Sequence, residues 1–316
     1  LITTDNLLVM ASETGVLNIP PSKIHTKGRV EPGKMFLLDT VNKQIVDDAT
    51  IKHSISHQNP YIKWIQENRH VLDNKQTKFS LGKYSVETKT LLQRQIAFGY
   101  TLEDIQIIIE PMILNGTEPI GSMGNDTPVA VLSEKSPLLF NYFKQLFAQV
   151  SNPPLDAIRE ELVTSVETYL GSQQNLFTET PEHVAQLLIK EPILTADDFT
   201  KICAINTSHI KSETLSMLYE IDTGRIPPNA LQKAVNLLCK KAEVSVKAGH
   251  TILILSDKGL SNDTIPIPSL LATDSVHHHL IKKGLRTKVG LIIESGEPRE
   301  VSHFALLLGY GAGAIY

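Results

Sequence analysis

After residue 214 the apolar residues switch spacing back and forth, and no other feature constrains the fold as strongly. Leu215-Ser216-Met217-Leu218-Tyr219 reads as a strand. Pro228 to Ala248 then places Leu231, Ala234, Val235, Leu238 and Ala242 at helical spacing, with Gly249 as its cap. Thr251-Ile252-Leu253-Ile254-Leu255-Ser256 is a continuous apolar run, the pattern of a parallel strand buried on both faces. Pro268 to Lys283 reads as a helix ended by Gly284, Val289 to Glu294 as a strand, and Pro298 to Leu308 as a helix. Gly313-Ala314-Ile315-Tyr316 begins another strand. Parallel crossovers of this kind are right-handed, so the run predicts an α/β fold with an open parallel sheet or a TIM-like barrel.

The upstream sequence is different. Residues 1–50 read as β structure, with Leu7 to Ser12 as an apolar run. Lys34 to Asp39 and Gln44 to Asp47 form a hairpin around Thr40-Val41-Asn42-Lys43. Three strands with one hairpin are too few for an independent domain. Residues 51–80, which hold the single tryptophan Trp64, are polar and helical in tendency and read as a connector, with a domain boundary near 65. From 86 to 210 helices predominate. Leu91 to Phe98 is followed by Gly99, and Thr101 to Asp104 opens a helix with Ile105, Ile108, Ile109 and Met112 on one face. Pro137 opens a helix through about Gln149, which Asn152-Pro153-Pro154 breaks. Asp156 to Val166 reads as a shorter helix, and Thr178 to Glu182 starts another that carries Val184, Leu187, Leu188 and Ile189.

A chain of 316 residues suggests about two domains and needs no staples. Its net charge of −4 removes the electrostatic basis for binding nucleic acid or an anionic membrane surface. No apolar run approaches the roughly 20 residues that span a bilayer. Two cysteines, Cys203 and Cys239, are too few for an iron–sulfur cluster and fit a reducing compartment. Leu1-Ile2-Thr3-Thr4 lacks the basic and apolar regions of a signal peptide. With strands at both ends, the chain reads as a piece of a longer polypeptide.

Four segments invite a chemical reading. His277-His278-His279 sits on a helix, where adjacent side chains diverge by about 100° and cannot share one metal. Gly309-Tyr310-Gly311-Ala312-Gly313 follows a helix and precedes a strand, the reverse of a dinucleotide fingerprint, and reads as a tight turn. Glu294 to Glu300, with Ser256-Asp257-Lys258, falls where parallel α/β folds place active sites, and an independent enzyme using carboxylates near Glu294 is the alternative reading. Gly116 to Pro128 packs three glycines and two prolines among short polar residues, as a shaped binding or gating loop does.

Several of these segments together resemble one family. Met10-Ala11-Ser12-Glu13, Arg29 to Met35, Arg94-Gln95 with Phe98-Gly99-Tyr100-Thr101, Ile120 to Asp126, Asn152-Pro153-Pro154, Leu271-Ala272-Thr273 with His277 to Leu280, and Glu297 to Val301 with His303-Phe304-Ala305 resemble, in order, the large chain of glutamate synthase. The resemblance implies that residues 1–65 are the C-terminal end of a glutamine amidotransferase domain and a connector. Residues 66–316 would be the central domain, a rudimentary relative of the TIM-like FMN barrel. It implies a parent enzyme in which glutamine, 2-oxoglutarate and reductant give two glutamates. The FMN and an iron–sulfur cluster would be held beyond Tyr316, and the parent would work in the cytoplasm or plastid stroma. This chain would bind no cofactor or metal, hold no catalytic residue and be inactive alone. Its partners would be the amidotransferase and FMN-binding domains of the same polypeptide. Gly121, Ser122, Met123, Gly124, Ser151, Asn152 and Pro153 would line the ammonia tunnel or an interdomain loop.

Overall fold

The computed structural model describes residues 1–13, 15–72, 90–119, 129–143, 156–221 and 226–316. The chain divides into two compact units, residues 1–63 and 64–316.

The first unit is small. Strand β1 (Ile2–Thr3) pairs antiparallel with β2 (Ile24–Thr26), and β3 (Leu37–Asp39) with β4 (Gln44–Val46). The expected hairpin is present, held by Asp39, whose carboxylate accepts from the Val41 and Asn42 amides at 2.9 Å. Lys43 completes the turn at φ 55. Leu7 to Ser12 makes a single bridge, Ile2 to Leu8, and no full strand. Helix α1 (Asp48–Ser56) is capped by Asp47, which accepts from the Thr50 amide at 3.0 Å. Helix α2 (Tyr61–Asn68) contains the division between the units.

The second unit begins with β5 (His70–Val71) and α3 (Leu91–Ala97), after which Gly99 turns the chain at φ 68. A wide helical turn over Asp104–Ile109 runs into α4 (Glu110–Asn115). Ile105, Ile108, Ile109 and Met112 form its half-buried face, as their spacing requires. Of the helix expected from Pro137 to about Gln149, residues 137–143 are described and hold a 3-10 turn at Leu139–Tyr142, with Phe140 drawn into the core and Phe143 extended; 144–149 lie outside the described residues. Asp156 to Val166 yields only α5 (Glu160–Val163) before β6 (Thr168–Leu170) begins. A third expectation was of the wrong kind. Pro181–Val184 is one 3-10 turn, and Leu187–Ile189 is β7, a wholly buried strand between β5 and β6. A short apolar run buried on every side has no helical period to read. Helix α6 (Ala196–Ala204), which the sequence reading missed, is capped by Thr195.

The βα repeat is present. Strand β8 (Ser212–Ser216) stops at Met217, whose amide donates to Ser256, and β9 (Leu218–Glu220) leaves to pair with β11 (Thr264–Pro266). Helix α7 (Ala230–Lys247), β10 (Ile252–Ser256), α8 (Ser269–Lys282), β12 (Gly290–Glu294), α9 (Val301–Gly309) and β13 (Ala314–Ile315) follow. The sheet is parallel in the order β13-β12-β10-β8. Leu253, Leu255, Leu291 and Ile293 pack under α7, α8 and α9, while Ile252, Ile254 and Ile292 meet α6, β6 and β7. The continuous apolar strands thus have a physical cause, since both faces are covered. Each fully buried Leu or Ile contributes about 1.5–3 kcal/mol.

Two glycines near the chain's end should behave oppositely. Gly311 has φ +113, and a Cβ there would enter the His277 ring; Gly309 faces open space. Gly311→Ala should lower stability to urea by about 2–4 kcal/mol, whereas Gly309→Ala should stay within about 1 kcal/mol of the parent.

Candidate functional site

The carboxyl ends of β10 and β12 gather buried polar side chains. Ser256 and Glu294 are register partners, and the serine hydroxyl donates to Glu294 Oε2 at 2.6 Å. Asp257, one residue on, accepts from Ser295 Oγ at 2.5 Å and from the Gly296 amide at 3.2 Å. Glu297 accepts from both the amide and the hydroxyl of Ser269, at 2.8 and 2.6 Å. Ser269 opens α8, so this carboxylate sits at a helix N-terminus, where an anion is favoured. Lys258 Nζ lies 3.5 Å from Glu294. Asp257, Glu294, Glu297 and Arg299 are all buried.

A second wall comes from far away in sequence. Arg299 places its guanidinium 3.9 Å from the Tyr100 ring centroid. It donates to Asp104 Oδ2 at 3.3 Å and to the Phe98 carbonyl at 2.8 Å. The Tyr100 hydroxyl donates to the Gly296 carbonyl at 2.8 Å. His303 stacks on Phe140, and its Nδ1 accepts from the Arg299 amide at 3.2 Å. Composition and spacing could place Asp257, Glu294, Glu297 and Arg299 at strand ends, but they carried no signal for Phe98, Tyr100, Asp104 or Ser269.

At this junction two groups, Asp257 and His303, are strongly perturbed. Burial pushes the Asp257 carboxyl up to about 6, helped by Glu297 and Glu294 and opposed by the bonds from Ser295 and Gly296. Burial holds His303 down at about 4, with Arg299 acting in the same direction. Chemically, the buried carboxylates are engaged by hydroxyls, amides and Lys258 of the neighbouring strand ends and loops. That arrangement locks loops together.

The other motifs resolve into local structure. Arg286 Nε donates to His277 Nδ1 at 2.9 Å, His278 meets Asp274 at 2.8 Å and His279 meets Glu243 at 2.9 Å. The three histidines thus serve three separate partners. Among the described residues no three His, Cys, Asp or Glu side chains converge as a metal site would need. The glycines after α9 turn the chain into β13, and Arg286 donates to the Gly311 carbonyl at 2.8 Å. Cys239 is buried in the core and Cys203 is exposed, both as free thiols. Ser245, Glu213 and His250 meet at the amino end of β10, but the hydroxyl and the carboxylate both approach the same ring nitrogen, Nδ1. A proton relay needs the two on opposite nitrogens. Among the described residues, no helix is long and apolar enough to cross a membrane. Gly121, Ser122, Met123, Gly124, Ser151, Asn152 and Pro153 lie outside the described residues.

The family model for the glutamate synthase central domain matches residues 93–316. This chain belongs to the glutamate synthase central domain family. Residues 1–64 match the model for class-II glutamine amidotransferases. Over 99% of its length the chain is 43% identical to the glutamate synthase [NADPH] large chain of Bacillus subtilis and 46% identical to the ferredoxin-dependent glutamate synthase of Cyanidium caldarium. It covers 20% of each of those relatives. The glutamate synthase [NADH] of Schizosaccharomyces pombe is 35% identical over 99% of the chain, which covers 15% of that protein. The central-domain match contains the whole polar junction, from Phe98 to His303.

Acid should act on the two perturbed groups in opposite directions. Between about pH 6 and 4, Asp257 is protonated when folded and ionised when unfolded, so acidification favours the native state. In the same window His303 is neutral when folded and protonated when unfolded, so acidification favours unfolding. Urea titrations should show Asp257→Asn losing stability more steeply on acidification than the parent, and His303→Asn less steeply, each by up to about 2–3 kcal/mol. Parallel pH profiles for all three proteins would refute this assignment.

Proposed function

We propose that this chain is the interdomain scaffold of a glutamate synthase and lines part of the path by which ammonia passes between two active sites. The observation that carries the reading is a class-II amidotransferase match over 1–64, followed in the same chain by the central-domain match over 93–316. We assign residues 1–65 to the end of the amidotransferase domain with its connector, and 66–316 to the central domain. The four-stranded parallel sheet with the connecting helices α7, α8 and α9 on one face supports kinship with a TIM-like barrel in rudimentary form.

The parent would transfer glutamine's amide nitrogen reductively to 2-oxoglutarate, giving two glutamates. Its partners for this chain would be the amidotransferase and FMN-binding domains of the same polypeptide. Large apolar side chains support such docking: Ile113 and Leu114 on α4 are 75% and 73% exposed, and Val131 and Leu132 are 71% and 78% exposed. FMN and an iron–sulfur cluster would belong to the synthase domain. The two cysteines here lie on α6 and α7, which cover opposite faces of the sheet, so they could not ligate a cluster together. The parent would work in the cytoplasm or plastid stroma.

Ammonia must travel uncharged, because burying an unpaired ammonium is costly. The wall of its path must therefore be small, non-titrating and dry. Gly121, Ser122, Met123 and Gly124 have that chemistry, as do Ser151, Asn152 and Pro153. Met123→Glu in the complete enzyme should reduce glutamate formed per glutamine hydrolysed while glutaminase activity persists. Unchanged coupling in that variant would remove Met123 from the wall.

A further inference from the structure

The junction at the strand ends contains one side chain whose geometry exceeds what packing requires. Arg299 is 5% exposed, and its guanidinium is held on three sides by one short segment. The Tyr100 ring lies against its face, Asp104 takes Nη1 and the Phe98 carbonyl takes Nη2. Planar stacking with forked donation is a task for arginine that lysine cannot reproduce. The loop that carries Arg299 is fitted to the same segment. A Cβ at Gly296 would come within 2.8 Å of the Phe98 ring, so this close approach needs glycine, and the Gly296 carbonyl accepts from Tyr100.

Asp104 links this clamp to a helix start. The oxygen that meets Arg299 also accepts from the Thr101 amide at 2.8 Å and the Thr101 hydroxyl at 2.9 Å, while the Asp104 amide donates to Thr101 Oγ at 3.0 Å. Arg299 therefore holds the first turn of the helical stretch that continues through α4. That stretch ends at Gly116, in the left-handed conformation, where the glycine-rich sequence begins. Among the described residues, neither α3 nor α4 packs extensively on the sheet or its covering helices. The clamp is thus a principal tie between this stretch and the sheet.

We propose that Arg299 is a positioning residue for nitrogen transfer in the parent enzyme. It fixes residues 98–104, and through them α4, against the carboxyl edge of the parallel sheet. The proposal rests on the conduit reading above and adds to it the residue that holds the helix in register. Arg299 acts through Tyr100 and Asp104, and touches no reacting atom.

The test uses the complete enzyme with Arg299→Met, Tyr100→Phe and Tyr100→Leu, and Met123→Glu in parallel. Glutaminase turnover, glutamate formed per glutamine hydrolysed, and amide hydrogen exchange over residues 98–115 are measured together. Tyr100→Phe keeps the stacked ring and loses one hydrogen bond; Tyr100→Leu loses both. Arg299→Met and Tyr100→Leu should each lower the coupling ratio about tenfold with faster exchange over 98–115 and glutaminase turnover preserved, and Tyr100→Phe should have a smaller effect. A structural staple alone would lower glutaminase and synthase activity together, and that result would overturn the proposal. So would full coupling despite released 98–115 amides, or unchanged exchange. If Arg299→Met does not fold, the two Tyr100 variants decide by the same criteria. Uncoupling by Arg299→Met but not by Met123→Glu keeps the positioning role and removes Met123 from the wall; the reverse removes the positioning role and keeps the wall.

Discussion

A parallel sheet covered on both faces leaves polar side chains little room except at its strand ends. Here β10 and β12 deliver Ser256, Asp257 and Glu294 to one edge, and the loop after β12 adds Glu297 and Arg299. Charges buried so deeply must be matched, because a lone buried carboxylate or guanidinium is costly. The matching groups come from the start of α8 and from residues 98–104. The same requirement that keeps these charges satisfied also decides which distant segment lies against the sheet.

In that arrangement the polar groups at the strand ends are taken up by one another. Here Asp257 is engaged by Ser295 and Gly296, and Glu297 by Ser269. The whole junction lies within the part of the chain that matches the glutamate synthase central domain.

Much of the fold was legible because its signals were local. The runs at Thr251–Ser256 and Val289–Glu294 could only be buried strands, and the amphipathic spacing of α7 named Val235, Leu238 and Ala242 of its core face, although Leu231 in the first turn is exposed. Thr101 and Gly99 marked helix ends through chemistry contained within a few residues, whereas Asp47, read as the end of a strand, caps α1. What was missed depended on distant partners. Leu187 to Ile189 became a strand because β5 and β6 lie on either side of it. Phe140 left its expected helix to stack on His303. The candidate site divides in the same way: the carboxylates were found at strand ends, but nothing within ten residues of Arg299 announces Tyr100 or Asp104. The glycine-rich loop was conspicuous for its composition, which says what a wall could be made of and nothing about where it stands.

The central claim is that this chain orders chemistry performed by other parts of a longer polypeptide. Calorimetric titration of the purified chain with FMN, and separately with glutamine and 2-oxoglutarate, tests it most directly. If the chain is a scaffold, each titration gives the heat of dilution alone. Saturable, stoichiometric binding of flavin, or any turnover of glutamine, would contradict it.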